Sequence, residues 1–373
     1  MPPPSDIIVV GAGIIGCAVA YELARRGAAV QIVDERAVGM GATQASAGML
    51  APYIETTHDS PLFDLTVRSL ALYDDFVARV SSDSAMTVAY RRTGTLEVAT
   101  DDSIMQELTA TAEVLAGHRV EAVLLDARAA QLEEPCLAAE VVGGLLIGTH
   151  GYVSASELTR AASAAARRNG AQLVEHSRVT RIGRVHDHIE VETERGSLAG
   201  DAVVLAAGSW SGSIGVDTIV RSVPVNPVRG QLLYLAWSGP RLRRVVWSPR
   251  CYLVPWDNGT VLVGATEEPG AGFDERTTVA GVRALIDGAC AIAPPASNAG
   301  FLGARVGLRP GTADDLPILG PSTIVPNLIY ATGHYRSGVL LAPLTAQLVA
   351  DALLEQRIDP ALAAFSPVRF GAL

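Results

Sequence analysis

Residues 6–35 read DIIVVGAGIIGCAVAYELARRGAAVQIVDE, and their pattern decides the fold. Residues 7–10 form a continuous β-branched run, the mark of a strand buried on both faces. After a glycine turn, Ile14, Ala18, Val19 and Leu23 share one helical face, and Gly27 is a natural stop. AAVQIV then supplies a parallel neighbour strand. Gly11, Gly13 and Gly16 have the G-x-G-x-x-G spacing. The first permits the turn, the second lets a pyrophosphate approach the backbone, and the third allows close packing of helix on strand. The helix N-terminus offers free N–H groups and partial positive charge to phosphates. Asp34 ends the second strand, 23 residues after Gly11, where a ribose-binding carboxylate is expected. Glu35 is the alternative carboxylate. A preceding strand, a following helix and a terminal acid together select dinucleotide binding over an ordinary βαβ turn. The motif leaves NAD and FAD open. The next segment, GMGATQASAGMLAP (39–52), is small and glycine-rich and suits an extended cofactor lying against backbone.

Outward from this unit, helical patterns occupy about 61–80, 102–117 and 154–169, and VAYRRTGTLEVAT alternates like an antiparallel strand. AQLVEHSRVTRI, a strand pair around 188–198, and DAVVLAAGSW follow, with HDH (186–188) read as a solvated turn. Residues 223–266 are strand-rich, and a last helix runs to about 355. No repeat or clean linker separates these blocks, so the domains are interleaved. The expected fold is α/β: a Rossmann-like nucleotide-binding domain (1–88, 150–222 and 302–373) interleaved with an α+β domain (89–149 and 223–301) on a mostly antiparallel sheet.

Composition narrows the chemistry. Of 373 residues 49% are hydrophobic and 18% charged, which fits a well-buried globular protein. A net charge of −10 argues against nucleic acid as a partner. All 29 basic residues are arginine, which excludes Schiff-base, pyridoxal phosphate and P-loop lysine chemistry. Cys17, Cys136, Cys251 and Cys290 lie far apart and read as reduced structural thiols of a cytoplasmic protein, and no metal-ligand spacing is present. The chain shows neither a signal peptide nor a membrane-spanning segment.

One arginine stands out. Arg309 lies in GFLGARVGLRPGTADDLPILGP (300–321), where burial of an unpaired cation is costly. Asp314 or Asp315 would answer it as a structural ion pair; an anionic ligand would answer it equally well.

The motifs ATQASAGMLAP, YRRTGTLEV, VVLAAGSWS, PVRGQ, CYLVPW, VGATEE, GLRPGTADDLPILGP and ATGHYRSGVLLAP occur in order. With VVGAGIIG they make the chain resemble, over nearly its whole length, the FAD-dependent D-amino-acid oxidase superfamily, and within it the glycine oxidases. The resemblance implies that the two domains bind non-covalent FAD and a small amino-acid substrate. It implies oxidative deamination, with hydride transfer to the flavin, and a role in making the thiazole of thiamine. By matching position, Gly11, Gly13, Gly16 and Asp34 hold the ADP half. Thr43, Ser46, Gly48 and Met49 line the pyrophosphate and flavin, Val179 meets the adenine through its backbone, and Ala207 and Gly208 close the groove. Gly333, His334, Arg336, Ser337 and Gly338 belong to the stretch presenting backbone N–H groups to the flavin, with His334 read as a packing residue. Arg309 becomes the clamp for the substrate carboxylate, with Tyr252 as a second donor and Arg336 nearby. Glu267 departs from the methionine found there in some relatives. The family suggests a homo-oligomer. The alternative is a D-amino-acid or N-methyl-amino-acid dehydrogenase that passes electrons to an acceptor other than oxygen.

Overall fold

The strand expected at the start of the chain, Ser5–Val10, lies in the middle of a nine-stranded sheet. Val30–Val33 and Gly196–Leu205 flank it in parallel, and Gln172–Val174 and Leu328–Thr332 extend the parallel set at either side. The computed structural model describes residues 5–55, 59–186, 188–217, 222–371 and 373. The β-branched run has a clear cause. Ile7 and Val9 enter one apolar cluster while Ile8 and Val10 enter another, so both faces are covered. On the first face the helix Ile14–Arg25 packs between Ala155–Arg168 and Gly338–Leu354. Val179–Val185 and His188–Thr193 continue the sheet as an antiparallel ribbon. His186 lies in the turn between them; Asp187 is outside the described residues.

The helix Ile14–Arg25 sits as close to the strand as glycine permits. A Cβ on Gly16 would stand 1.9 Å from the Gly11 carbonyl oxygen. Gly11 itself has φ +110°, and its Cβ would meet the Ala206 oxygen at 2.4 Å.

The second large sheet is antiparallel except where Val245–Trp247 runs beside Thr95–Ala99. Its longest pair is Asn226–Ala236 with Gly300–Gly311. The expected boundary at 302 falls inside that second strand, whose whole length belongs to this sheet. The architecture is therefore mixed α/β: a largely parallel sheet under helices, joined to a largely antiparallel one.

The sequence pattern and the structure differ in two places. Residues 61–80 form two helices, Pro61–Ala71 and Tyr73–Ser84, broken at Leu72. Residues on either side of the break contact a distant helix. Pro343, inside Gly338–Leu354, lacks the N–H that would reach the Val339 carbonyl. The Tyr73 hydroxyl donates to that carbonyl instead, at 2.5 Å, and the Ser69 hydroxyl donates to Leu340 at 2.6 Å. VAYRRTGTLEVAT likewise divides. Tyr90–Arg91 joins a small three-stranded sheet and Thr95–Ala99 the large one, with Gly94 at φ +82° between them. Among the described residues no helix is long and apolar enough to cross a membrane.

A candidate cofactor and substrate cleft

A cleft of about 350 Å³ runs from the first βα turn of the parallel sheet to the edge of the antiparallel one. Most of the residues singled out by sequence border it. At one end are Gly11, Gly13, Asp34, Thr43 and Val179; along it lie Ser46, Gly48, Met49, Ala207 and Gly208. At the other end are Tyr252, Arg309, Gly333, His334, Arg336 and Gly338. Gly16 and Ser337 do not border it. Gly16 packs beneath the turn, and Ser337 is buried with its N–H on the His334 carbonyl. The Tyr335 N–H is also used, on Pro310. The stretch 333–338 thus offers fewer backbone donors than its length implies.

The nucleotide end has the character of an anion site. Gly13 caps the helix without a side chain, and the Thr43 hydroxyl accepts from the Ile14 N–H at 3.1 Å. The Asp34 carboxylate accepts from the Ala12 N–H at 2.5 Å and the Arg36 N–H at 2.7 Å. Burial raises its pKa above the ordinary carboxylate value, although these hydrogen bonds pull the other way. Gly48, with φ +69°, leaves no room for a side chain, because its Cβ would stand 1.7 Å from the Val153 oxygen. A dinucleotide fits these residues. The glycines bare the backbone, the helix N-terminus faces the cleft, and a half-satisfied carboxylate waits at the end of the second strand.

At the other end the geometry answers the question of Arg309's partner. Asp314 is paired with Arg369 at 2.7 Å, and Asp315 is exposed. Among the described residues no carboxylate pairs with Arg309. Its Nη1 donates to the Thr266 carbonyl at 3.0 Å, and its guanidinium lies flat over Gly230. A Cβ there would stand 2.3 Å from Nη1 and 2.6 Å from Nη2. Tyr252 rests on a second glycine in the same way: a Cβ on Gly264 would meet its hydroxyl at 2.4 Å. Trp247 stacks on Tyr252 with ring centroids 5.3 Å apart.

Beneath this floor Glu268 accepts from Arg229 (2.6 and 2.9 Å), Gln231 (2.6 Å) and Thr266 (2.6 Å). Burial acts to raise its pKa, but those donors prevail and hold it below the ordinary glutamate value. The network fixes Thr266, and through its carbonyl Arg309. His334 is buried against Thr345 at 3.1 Å, and burial lowers its pKa to about 3, so its imidazole is neutral. Arg336 is not a free cation, because Glu267 pairs with it and also accepts from the Tyr335 hydroxyl.

Gly230, Gly264, Thr266 and Trp247 were not singled out from the sequence. Gly230 and Thr266 stand inside PVRGQ and VGATEE, but only strand register brings them beside Arg309.

A Rossmann-type dinucleotide cleft closed by an antiparallel sheet, with an uncompensated arginine at the far end, defines a class of flavin-dependent oxidoreductases. The chain belongs to the DAO family, FAD dependent oxidoreductase, whose model matches residues 6–352. It is similar to the glycine oxidase of Geobacillus kaustophilus, with 34% identity over 98% of this chain and 97% of that one. The crystal structure of a glycine oxidase from the same organism superposes with a TM-score of 0.94, over 98% of this chain and 99% of that chain. It is also 34% identical to the bifunctional protein ThiO/ThiG of Synechocystis sp., over 99% of this chain. The chain spans 55% of the length of that bifunctional protein.

Proposed function

We propose that the protein oxidatively deaminates glycine or another small amino acid, such as sarcosine or a small D-amino acid. The carrying observation is Arg309, a guanidinium at the cleft end held by one carbonyl and paired with no carboxylate among the described residues. Such a group suits bidentate capture of a substrate carboxylate and stays charged at any working pH.

Gly11, Gly13, Asp34, Thr43, Ser46, Gly48, Met49, Val179, Ala207 and Gly208 would hold FAD, with the stretch 333–338 at its flavin end. Bound FAD supplies the two-electron acceptor for the hydride leaving the substrate Cα. Arg309 and the Tyr252 hydroxyl orient the carboxylate, and Gly230 and Gly264 leave room for both side chains. Orientation is the protein's main contribution. The neutral His334 takes no proton near neutral pH. The imino acid product reacts with water to give a 2-oxo acid and ammonia.

The likeness to the ThiO/ThiG proteins supports a place in making the thiazole of thiamine. We read the chain as two interleaved domains, one binding FAD and one binding substrate, with residues 302–311 assigned to the substrate side because of their strand pairing. A net charge of −10 and the absence of a spanning helix among the described residues fit a cytoplasmic enzyme without nucleic acid. We also read it as a homo-oligomer.

The test is an anaerobic visible spectrum of the purified holoenzyme with glycine, sarcosine and D-alanine. Bleaching of the flavin band by one of them supports the reading; a band that none bleaches withdraws it. Peroxide release in air then separates an oxidase from a dehydrogenase using another acceptor, which the complete absence of lysine leaves as the second reading.

A further inference from the structure

Glu267 is the acid at the cleft mouth. It borders the cleft, and its side chain is 45% exposed. It follows Thr266, whose carbonyl holds Arg309. One of its carboxylate oxygens accepts from the Tyr335 hydroxyl and the other from Arg336 Nη2. These contacts join the connection after Thr260–Gly264 to the loop before Gly338–Leu354, across the mouth. Glu267 therefore does two things at once. It occupies Arg336, which is then not offered to a ligand, and it sets acceptor oxygens at the mouth, one residue from the clamp's own anchor. Arg250 also borders the cleft, but its Cβ faces the helix Val279–Ile292, 3.5 Å from where a Cβ on Gly288 would be.

We propose that Glu267, held by Tyr335 and Arg336, is a specificity-determining residue that restricts the site to amino acids bearing one carboxylate. The inference rests on Arg309 being the clamp. With the first carboxylate of a ligand on Arg309, a second carboxylate directed at the mouth meets the oxygens of Glu267. These oxygens are tied on both sides and cannot swing away without releasing Arg336. Like-charge juxtaposition of this kind is an ordinary device for rejecting a ligand. Replacing the carboxylate by an amide keeps the shape, removes the repulsion and releases Arg336 from its ion pair with Glu267.

The experiment titrates holoenzyme with glycolate and with diglycolate, unreactive one- and two-carboxylate probes, and follows perturbation of the flavin spectrum. Wild type, Glu267→Gln and Arg309→Ala are compared. Glu267→Gln is expected to lower the ratio of the diglycolate to the glycolate dissociation constant by about tenfold. In turnover Glu267→Gln is expected to lower the KM for iminodiacetate relative to that for glycine. Arg309→Ala weakens both probes. If it does so while Glu267→Gln leaves the ratio unchanged, this proposal falls and the clamp stands. If Arg309→Ala weakens neither probe, the clamp reading has failed and the proposal falls with it. Wild-type protein gives a second readout should the glutamine variant fail to fold: rising salt screens the repulsion and lowers the ratio. A ratio indifferent to salt counts against the proposal.

Discussion

The guanidinium of Arg309 occupies the space that a side chain on Gly230 would take, with Nη1 2.3 Å from the position of the missing Cβ. The two residues lie on paired strands, Asn226–Ala236 and Gly300–Gly311, with Arg309 opposite Val228 and Gly230 opposite Gly307. A glycine at 230 is what lets the arginine lie flat on the sheet with its fork turned along the surface.

Two substitutions test this pair. Arg309→Ala is expected to leave FAD bound and to lower kcat/KM for the amino-acid substrate by about two to three decades, the loss typical of an unpaired charge contact. Gly230→Ala displaces the guanidinium without removing it. Steady-state kinetics should then show a raised KM, with overpacking that costs about 1–3 kcal/mol of stability. Unchanged KM in both variants would move the carboxylate site elsewhere.

The nucleotide turn is tested at Gly11. At φ +110°, with the Ala206 oxygen 2.4 Å from the site of a Cβ, alanine must shift backbone, not only side chain. Strain of about 1–3 kcal/mol falls directly on the phosphate-facing turn. Gly11→Ala protein should purify with much less flavin than wild type, as read from the ratio of visible to ultraviolet absorbance. Full flavin content would mean that the turn does not meet the cofactor.

Tyr73 completes the helix that points at the cleft. Removing its hydroxyl in Tyr73→Phe strands the buried Val339 carbonyl, which Pro343 cannot serve. An unfolding free energy lower by about 1–3 kcal/mol is expected in denaturant titrations. A Pro343→Ala background, which restores an N–H in the helix, should shrink that loss.

Glu97 gives a pH signature. Burial, helped by Glu107, raises its pKa from 4.5 to about 7. Between those values the folded protein retains a proton that the unfolded chain has released, so stability falls as pH rises through this window. The loss attributable to Glu97 is about 1–3 kcal/mol at its fullest. Glu97→Gln should flatten the decline in thermal stability between pH 5 and 7 by that amount (roughly the range spanned by the two pKa values). Identical pH profiles for wild type and Glu97→Gln would contradict the burial argument.

Local pattern carried the parts of the molecule whose causes are local. The first βαβ unit is one: its β-branched run, glycine spacing and terminal acid each act within a few residues. The helix Asp102–Gly117 is another, capped by the Asp101 carboxylate on the Ile104 N–H. The break at Leu72 was not legible, and the contacts that flank it, Ser69 to Leu340 and Tyr73 to Val339, reach some 270 residues along the chain. The helix Val279–Ile292 was not read either. It leaves Val279 and Ile286 exposed and includes two glycines, so no clean apolar stripe marks it. At the site, Arg309, Tyr252 and Arg336 were visible as residues but not as relationships. That Arg309 lacks a carboxylate while Arg336 has one depends on which strands meet, and residue types alone left the two arginines alike.

The order of strands in the parallel sheet carries a consequence for biosynthesis. Ser5–Val10 is translated before the other strands of this sheet, yet one of its two neighbours is Gly196–Leu205, and that strand's other parallel partner is Leu328–Thr332. The helix Gly338–Leu354, which packs on Ile14–Arg25, comes later still. The glycine turn is thus made well before its walls, which are complete only once residues 328–354 have been translated. Nascent chains must keep this apolar strand and helix unaggregated until those later partners follow, a burden typical of long-range parallel pairing. A product ending before residue 328 would leave Gly196–Leu205 without that parallel partner, an exposed sheet edge.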